Sequence, residues 1–255
     1  MTEVLCAQET QTTYENFTAR CPWCGFKNIF NRASDLQDLE PIAHKQVTCL
    51  NPDCGQQFAI SGDLINPAFE MLIHDCYELL STKRYAYCIL NSAQAFEVFF
   101  SLYLRVQLLY RPFALDSARD IEQLNYLAQL LYEKVKRHGF ARMRDLFFDQ
   151  VLQQQQPSSL LEAEARINAL PENPGEPPDV SLQSVTDQKL SAVLLRLKRC
   201  KVNELRNQVA HKRAYRPRLD EVDQALQETR EILLPLASML LMQSGDPNWY
   251  MRSAK

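Results

Sequence analysis

The chain has 255 residues, of which 46% are hydrophobic and 23% charged, with a formal net charge of −3. Only six residues are glycine, which disfavours an all-β or turn-rich architecture and favours long helices. The opening stretch "MTEVLCAQETQTTYENFTAR" has neither a basic start nor an apolar core, and the run "ILLPLASMLLM" is too short to cross a bilayer. The expectation is a cytoplasmic protein with reduced thiols and no membrane segment, in which eight cysteines point to metal binding before disulfides.

In chain order, the first signal is a paired set of cysteines. "CPWCG" supplies Cys21 and Cys24, and "CLNPDCG" supplies Cys49 and Cys54. Zinc favours four thiolates in a tetrahedron, and two turns carrying two cysteines each can provide them. A glycine, Gly25 or Gly55, follows each pair, and a residue without a Cβ lets backbone N–H groups turn toward the sulfurs. Pro22 and Pro52 stiffen the turns. "KNIF", "KQVTCL" and "QQFAI" read as strands. Residues 1–64 therefore read as an N-terminal arm and a small β zinc ribbon holding one structural Zn²⁺ per chain. Four thiolates leave no open position for a catalytic water, so the ribbon's role is structural or one of recognition, with nucleic acid and protein partners both open. His44 could replace one ligand, and Cys6 has no partner at useful spacing. Cys76, Cys88 and Cys200 sit in helical patterns as small core residues.

Residues 65–255 read as an α-helical domain, so the fold class is mainly α. "PAFEMLIHDCYELLSTKR" predicts an amphipathic helix with Pro67 near its start. "YAYCILNSAQAFEVFFSLYLRVQLLY" is apolar over most of its circumference and predicts a central buried helix. It carries one polar stripe: Gln94, Glu97, Ser101 and Arg105 share a face at spacings of three and four. A carboxylate at Glu97 either faces solvent at a rim or is held by a cation. Further helices are predicted around "DSARDIEQLNYLAQLLYEKVKRH" and "ARMRDLFFDQVLQQQQ", with a short one at "SLLEAEARINAL". "PENPGEPPDV", residues 171–180, holds four prolines and predicts a loop. Two helices close the chain, one over about 184–212, with room for a break, and one in "LDEVDQALQETREILLPLASMLLM".

Nine Lys or Arg residues fall between Arg196 and Arg218 against a single acid, Glu204, while the remainder of the chain is acidic. A basic segment on an acidic protein points to an anionic ligand at one place; a solvated helix face is the bland alternative. Inside the segment stands "RNQVAH", residues 206–211. On a helix Asn207 and His211 share a face, but Arg206 and His211 diverge by about 140°. One straight helix does not aim both at one phosphate, so the arginine reaches around, the helix is distorted, or a second copy completes the site. The six residues also suit an ordinary helix end, with Arg and His near the last carbonyls.

"LRNQVAHKRAYRP" resembles the signature of the HEPN superfamily, an arginine and a polar residue followed by a histidine after a short spacer, and "AYCILNSAQAFEVFFSLYL" resembles that family's other core helix. The resemblance covers residues 67–245; the stretch 114–183 exceeds a minimal four-helix core and reads as an insertion. It implies a HEPN-like helical bundle that dimerises, with a cleft between protomers. Many members are metal-independent ribonucleases acting as toxins or as effectors of prokaryotic defence; others are non-catalytic scaffolds. Carried over by position, Arg206, Asn207 and His211 are the motif residues and Glu97 the acidic partner. Arg199, Lys201, Lys212, Arg213 and Arg216 are then the residues expected to hold RNA. The implied function is a metal-independent endoribonuclease with no catalytic metal, forming a homodimer and open to an antitoxin or defence-complex partner. The alternative is a non-catalytic dimerisation adaptor that binds nucleic acid or protein.

The chemistry stands without the resemblance. RNA carries its own nucleophile in the 2′-hydroxyl. Histidine suits proton transfer near neutral pH, arginine offers a forked permanent charge for phosphate oxygens, and asparagine can orient either one.

Overall fold

The structure, a computed structural model, describes residues 16–31, 45–60, 68–113, 121–153, 155–212 and 215–242. It opens with two antiparallel hairpins, β1 (Asn16–Arg20) with β2 (Lys27–Asn31) and β3 (Lys45–Thr48) with β4 (Gln57–Ile60). The strand-like segments of the sequence correspond to β2, β3 and β4, while β1 at "NFTAR", whose polar and apolar residues alternate, is a further strand not among them. Side chains alternate as a pleated strand requires: Asn28 and Phe30 are buried, Lys27 and Ile29 exposed. Among the described residues the core here is Cys21, Phe30, Val47, Cys49, Phe58 and Ile60, with Ala19 and Cys54 packed against it. So few side chains are a weak source of stability. A buried amide adds to it. Asn28 donates to the carbonyls of Ala19 (3.2 Å) and Phe26 (3.1 Å), and its Oδ1 accepts the N–H of Leu50 (2.6 Å), joining one hairpin to the other.

The rest is helical. Helix α1 (Ala68–Ser81) turns into α2 (Tyr85–Arg105) through Lys83, whose φ of 58° is left-handed. The turn closes with Arg84 N–H donating to Leu79 O (2.7 Å) and Lys83 N–H to Leu80 O (3.0 Å), a helix stop in which glycine usually takes the left-handed place.

Helix α2 is the centre of the bundle, packed on α1 and on three later helices, α5 (Phe140–Gln153), α9 (Val202–His211) and α10 (Leu219–Met239). Its buried face carries Phe96, Phe99, Phe100 and Tyr103, and these rings meet aromatic side chains from three directions. Phe69 lies edge-on to Phe99 (5.1 Å between centroids), Phe140 edge-on to Phe96 (5.4 Å), and Phe147 contacts both Phe100 (5.2 Å) and Tyr103 (4.8 Å). Past Arg105 the helix widens into a π-helical turn, Val106–Tyr110, and ends in the short α3 (Arg111–Phe113). Pro112 has no N–H for the ordinary ladder, and a wider turn redistributes the remaining hydrogen bonds. Arg111 then donates from Nη2 to Leu240 O (2.8 Å) at the end of the last helix.

The remaining helices are α4 (Ile121–Val135), α5 (Phe140–Gln153), α6 (Leu160–Ala169), α7 (Asp179–Gln183), α8 (Gln188–Lys198), α9 (Val202–His211) and α10 (Leu219–Met239). The span read as one helix over 184–212 is two, separated at Arg199–Lys201. Asp187 caps α8, its Oδ1 accepting from Lys189 N (2.8 Å) and Leu190 N (3.2 Å), and Ser159 caps α6 by accepting from Glu162 N (3.2 Å). The proline-rich segment is irregular up to Pro178, as its composition predicts. It is tied down by ion pairs: Glu176 with Arg144 (2.6 Å), and Asp179 with Lys198 (2.7 Å) and Arg199 (3.0 Å). No helix among the described residues is long and apolar enough to cross a membrane.

Candidate functional site

The four cysteines of the hairpins converge. The sulfurs of Cys21, Cys24, Cys49 and Cys54 all lie within 4.8 Å of one another, with Cys21–Cys54 at 3.8 Å and Cys24–Cys49 at 3.7 Å. A tetrahedral zinc thiolate centre with Zn–S bonds of about 2.3 Å has sulfur–sulfur edges of about 3.8 Å, so the set fits such an ion. The turns that make this fit use left-handed glycines, Gly25 at φ +72° and Gly55 at φ +57°. Gly25 N–H donates to Cys21 O (2.9 Å) and Gly55 N–H to Asn51 O (3.1 Å). The backbone amide of Phe26 leads the set of hydrogen bonds that bring the Cys24 thiol down to about 7, favouring a thiolate. Among the described residues this is the one cluster of three or more Cys, His, Asp or Glu groups placed to hold a metal ion. Cys6 and His44 lie outside the described residues.

The second arrangement lies where α9 packs on α2. Arg206 Nη2 comes to 3.9 Å from Glu97 Oε1, which brings together two residues singled out in the sequence more than a hundred positions apart. Glu97 combines both openings: its side chain keeps 30% of its exposure, and Arg206 stands within ion-pair distance. Burial raises its carboxyl above the ordinary carboxylate range, while the Arg206 guanidinium and the Phe140 backbone work against that shift. Its Oε1 is sealed from solvent and accepts no hydrogen bond among the described residues. Arg206 is steered by its neighbour: Nη1 donates to Asn207 Oδ1 at 3.0 Å.

His211 is the last residue of α9 and is exposed. No hydrogen bond or ion pair among the described residues joins it to Arg206, Asn207 or Glu97. The fold thus links Glu97, Arg206 and Asn207, while His211, one turn past Asn207 on the same face, stays exposed at the helix end.

Two other members of the polar stripe lie elsewhere. Ser101 and Arg105 line a cavity of about 420 Å³ against α4, with Ala128, Gln129, Leu131, Tyr132 and Val135.

The basic segment is far better compensated in space than along the chain. Arg196 pairs with Glu231, Lys198 and Arg199 with Asp179, Arg206 with Glu97, and Arg218 with Asp220. Of the residues expected to hold RNA, Arg199 is thus already committed to a carboxylate. Lys201, Lys212 and Arg216 are exposed and make no ion pair among the described residues, and Arg213 lies outside them.

Sequence reasoning passed over two side chains. Asn28 gives no sequence signal, because a lone asparagine in a strand looks like any polar residue. His138, in the turn before α5, has both ring nitrogens buried without a hydrogen-bond partner. It stands two positions before Phe140, whose backbone acts on Glu97.

Comparison with known protein families, with characterised proteins and with solved structures finds no match to this chain.

Proposed function

We propose that this chain is a metal-independent endoribonuclease of the HEPN type, working as a homodimer in prokaryotic defence or as a toxin effector, and that zinc fills the Cys₄ site as a structural ion. The observation that carries the reading is the meeting of Glu97 and Arg206 across the α2–α9 contact, with Asn207 orienting the guanidinium. Arg206 would grip the non-bridging oxygens of the scissile phosphate, and Glu97 would fix its direction. The 2′-oxygen loses its proton to a base and forms a bond to phosphorus. The bond from phosphorus to the 5′-oxygen breaks, and that oxygen gains a proton. His211 is placed by motif to handle these protons. Because His211 and Arg206 diverge on one helix, two copies packed symmetrically would bring the histidine of one motif to the arginine of the other.

The test is cleavage of a mixed RNA pool in excess EDTA by the full chain and by His211→Ala. The wild type should leave 2′,3′-cyclic phosphate ends, with the variant slower by about 10²–10⁴-fold. Equal cleavage by both proteins would defeat the assignment. A second reading, a non-catalytic adaptor, draws on the separation of His211 from Arg206 within one protomer; a dimer that binds RNA and leaves it whole would support it.

A further inference from the structure

The two cysteine turns are built alike and dressed differently. The first hairpin, residues 16–31, contains Arg20 and Lys27 and no acid at all, whereas the second turn carries Asp53. Arg20 and Lys27 face each other directly across β1 and β2, next to the turn, so two positive charges sit side by side on the ribbon's surface. Between them in the chain come Trp23 and Phe26, which are 69% and 45% exposed. Ile29, at 47%, continues the same solvent face as Lys27, one pleat along.

Single exposed apolar side chains are ordinary, but several grouped together mark an interaction surface, and Trp23 and Phe26 are exposed three positions apart on one turn. Trp23 is also held still. Its indole N–H donates to Gln57 O at 3.3 Å, on the opposite hairpin, so the ring is braced by its edge while most of its surface stays open. Arg20 is braced too, donating from Nη1 to Gly25 O at 3.4 Å. A braced aromatic face flanked by cations that make no ion pair among the described residues is a combination that takes a single-stranded nucleic acid: bases stack on the rings while the cations follow the phosphates. An apolar protein partner would use the rings but leave two adjacent cations unanswered.

We infer that the first cysteine turn of the ribbon is a binding site for a single-stranded nucleic acid, with Trp23 and Phe26 as the stacking platform and Arg20 and Lys27 as the phosphate contacts. This site is remote in sequence from Arg206 and His211, and the inference holds whether or not the helical region cleaves RNA.

The test is fluorescence anisotropy of a labelled single-stranded oligoribonucleotide with the zinc-loaded full chain bearing His211→Ala, so that cleavage cannot consume the probe. Trp23→Ala and Phe26→Ala should each weaken binding by roughly ten-fold, and Trp23→Tyr should keep most of it, since stacking needs a π-face. The double variant Arg20→Gln, Lys27→Gln should weaken binding and flatten its salt dependence. Zinc content measured on every variant separates a lost contact from a lost fold. The inference fails if the zinc-loaded chain binds no single strand. It also fails if Trp23→Ala binds as the parent does, or if Trp23→Leu binds as well as Trp23→Tyr, the mark of a merely apolar surface. A duplex of the same sequence bound as tightly as the single strand would overturn it too, by reducing the contact to charge alone.

Discussion

Arg206 approaches Glu97 to 3.9 Å from a different helix, near enough for charges to feel each other and too far for a hydrogen bond. The carboxylate is half-desolvated and incompletely answered. Burial lifts its proton affinity above the ordinary 4.5 and Arg206 lowers it. Arg206→Gln is therefore expected to push the Glu97 midpoint further upward in a ¹³C-carboxyl NMR titration. An unchanged midpoint would show that the two groups are not electrically coupled.

The same carboxyl makes a prediction about folding. Its pKa in the folded chain is raised, so the folded state holds this proton more tightly than the unfolded state does. Above the folded pKa the charged form costs stability, and that cost fades as pH falls through the folded value toward 4.5. Glu97→Gln should then make the chain more resistant to urea at neutral pH, with the gain disappearing in mild acid. A variant less stable than the parent at neutral pH would mean that the charge itself is needed to hold α9 on α2.

Lys83 occupies a left-handed position at the end of α1. A side chain there costs about 1–2 kcal/mol, part of which glycine returns as extra freedom in the unfolded chain. Lys83→Gly is expected to stabilise the protein by about 0.5–1 kcal/mol in urea titrations. A loss of stability would mean that the lysine side chain contributes more than its backbone strain takes away.

Phe147 touches Phe99, Phe100, Tyr103 and Phe148 at once. Phe147→Ala should cost about 3–5 kcal/mol, the range for emptying a large aromatic site in a core. A cost below about 1 kcal/mol would show that this junction between α5 and α2 collapses easily to fill the space.

Removing the metal should separate the two parts of the molecule. Among the described residues the hairpins rest on Phe30, Val47, Phe58 and Ile60 and the four-cysteine cluster, while the helices have a large core of their own. Stripping with a thiol-competing chelator should release about one zinc per chain and abolish the β-hairpin amide NMR shifts, leaving helical circular dichroism in place. Cobalt substitution should give the visible absorption of a tetrahedral thiolate site. Loss of the helical signal together with the metal would mean that the bundle depends on the ribbon.

Much of this architecture is written in short-range patterns. Aromatic and β-branched residues in "KNIF" and "QQFAI", helical periodicity around Phe96 and Phe99, and paired cysteines each followed by glycine are local signals, and they mark the elements where they stand. The break at Arg199–Lys201 was harder to read, because basic residues extend a helix as readily as they end one. Charge was the least legible. Along the chain the basic segment looks unopposed, yet its partners arrive from elsewhere: Glu231 from α10, Asp179 at the start of α7 and Glu97 from α2. Glu97 could be chosen from the sequence because its polar stripe runs along an otherwise apolar helix. That Arg206 turns inward to it while His211 stays outside follows from packing that periodicity alone does not fix.

The proline-rich segment has one more consequence. By composition it is a linker, the sort of place where a protease cuts and where insertions are tolerated. Here Glu176 and Asp179 are moored to Arg144 and Lys198, whose side chains are only 15% and 16% exposed, and Lys198 also donates to Pro177 O at 2.7 Å. Four prolines have little freedom to lose on being fixed, so the moorings hold a strut that is already stiff. A protease offered the folded protein should spare this stretch until α8 itself comes away.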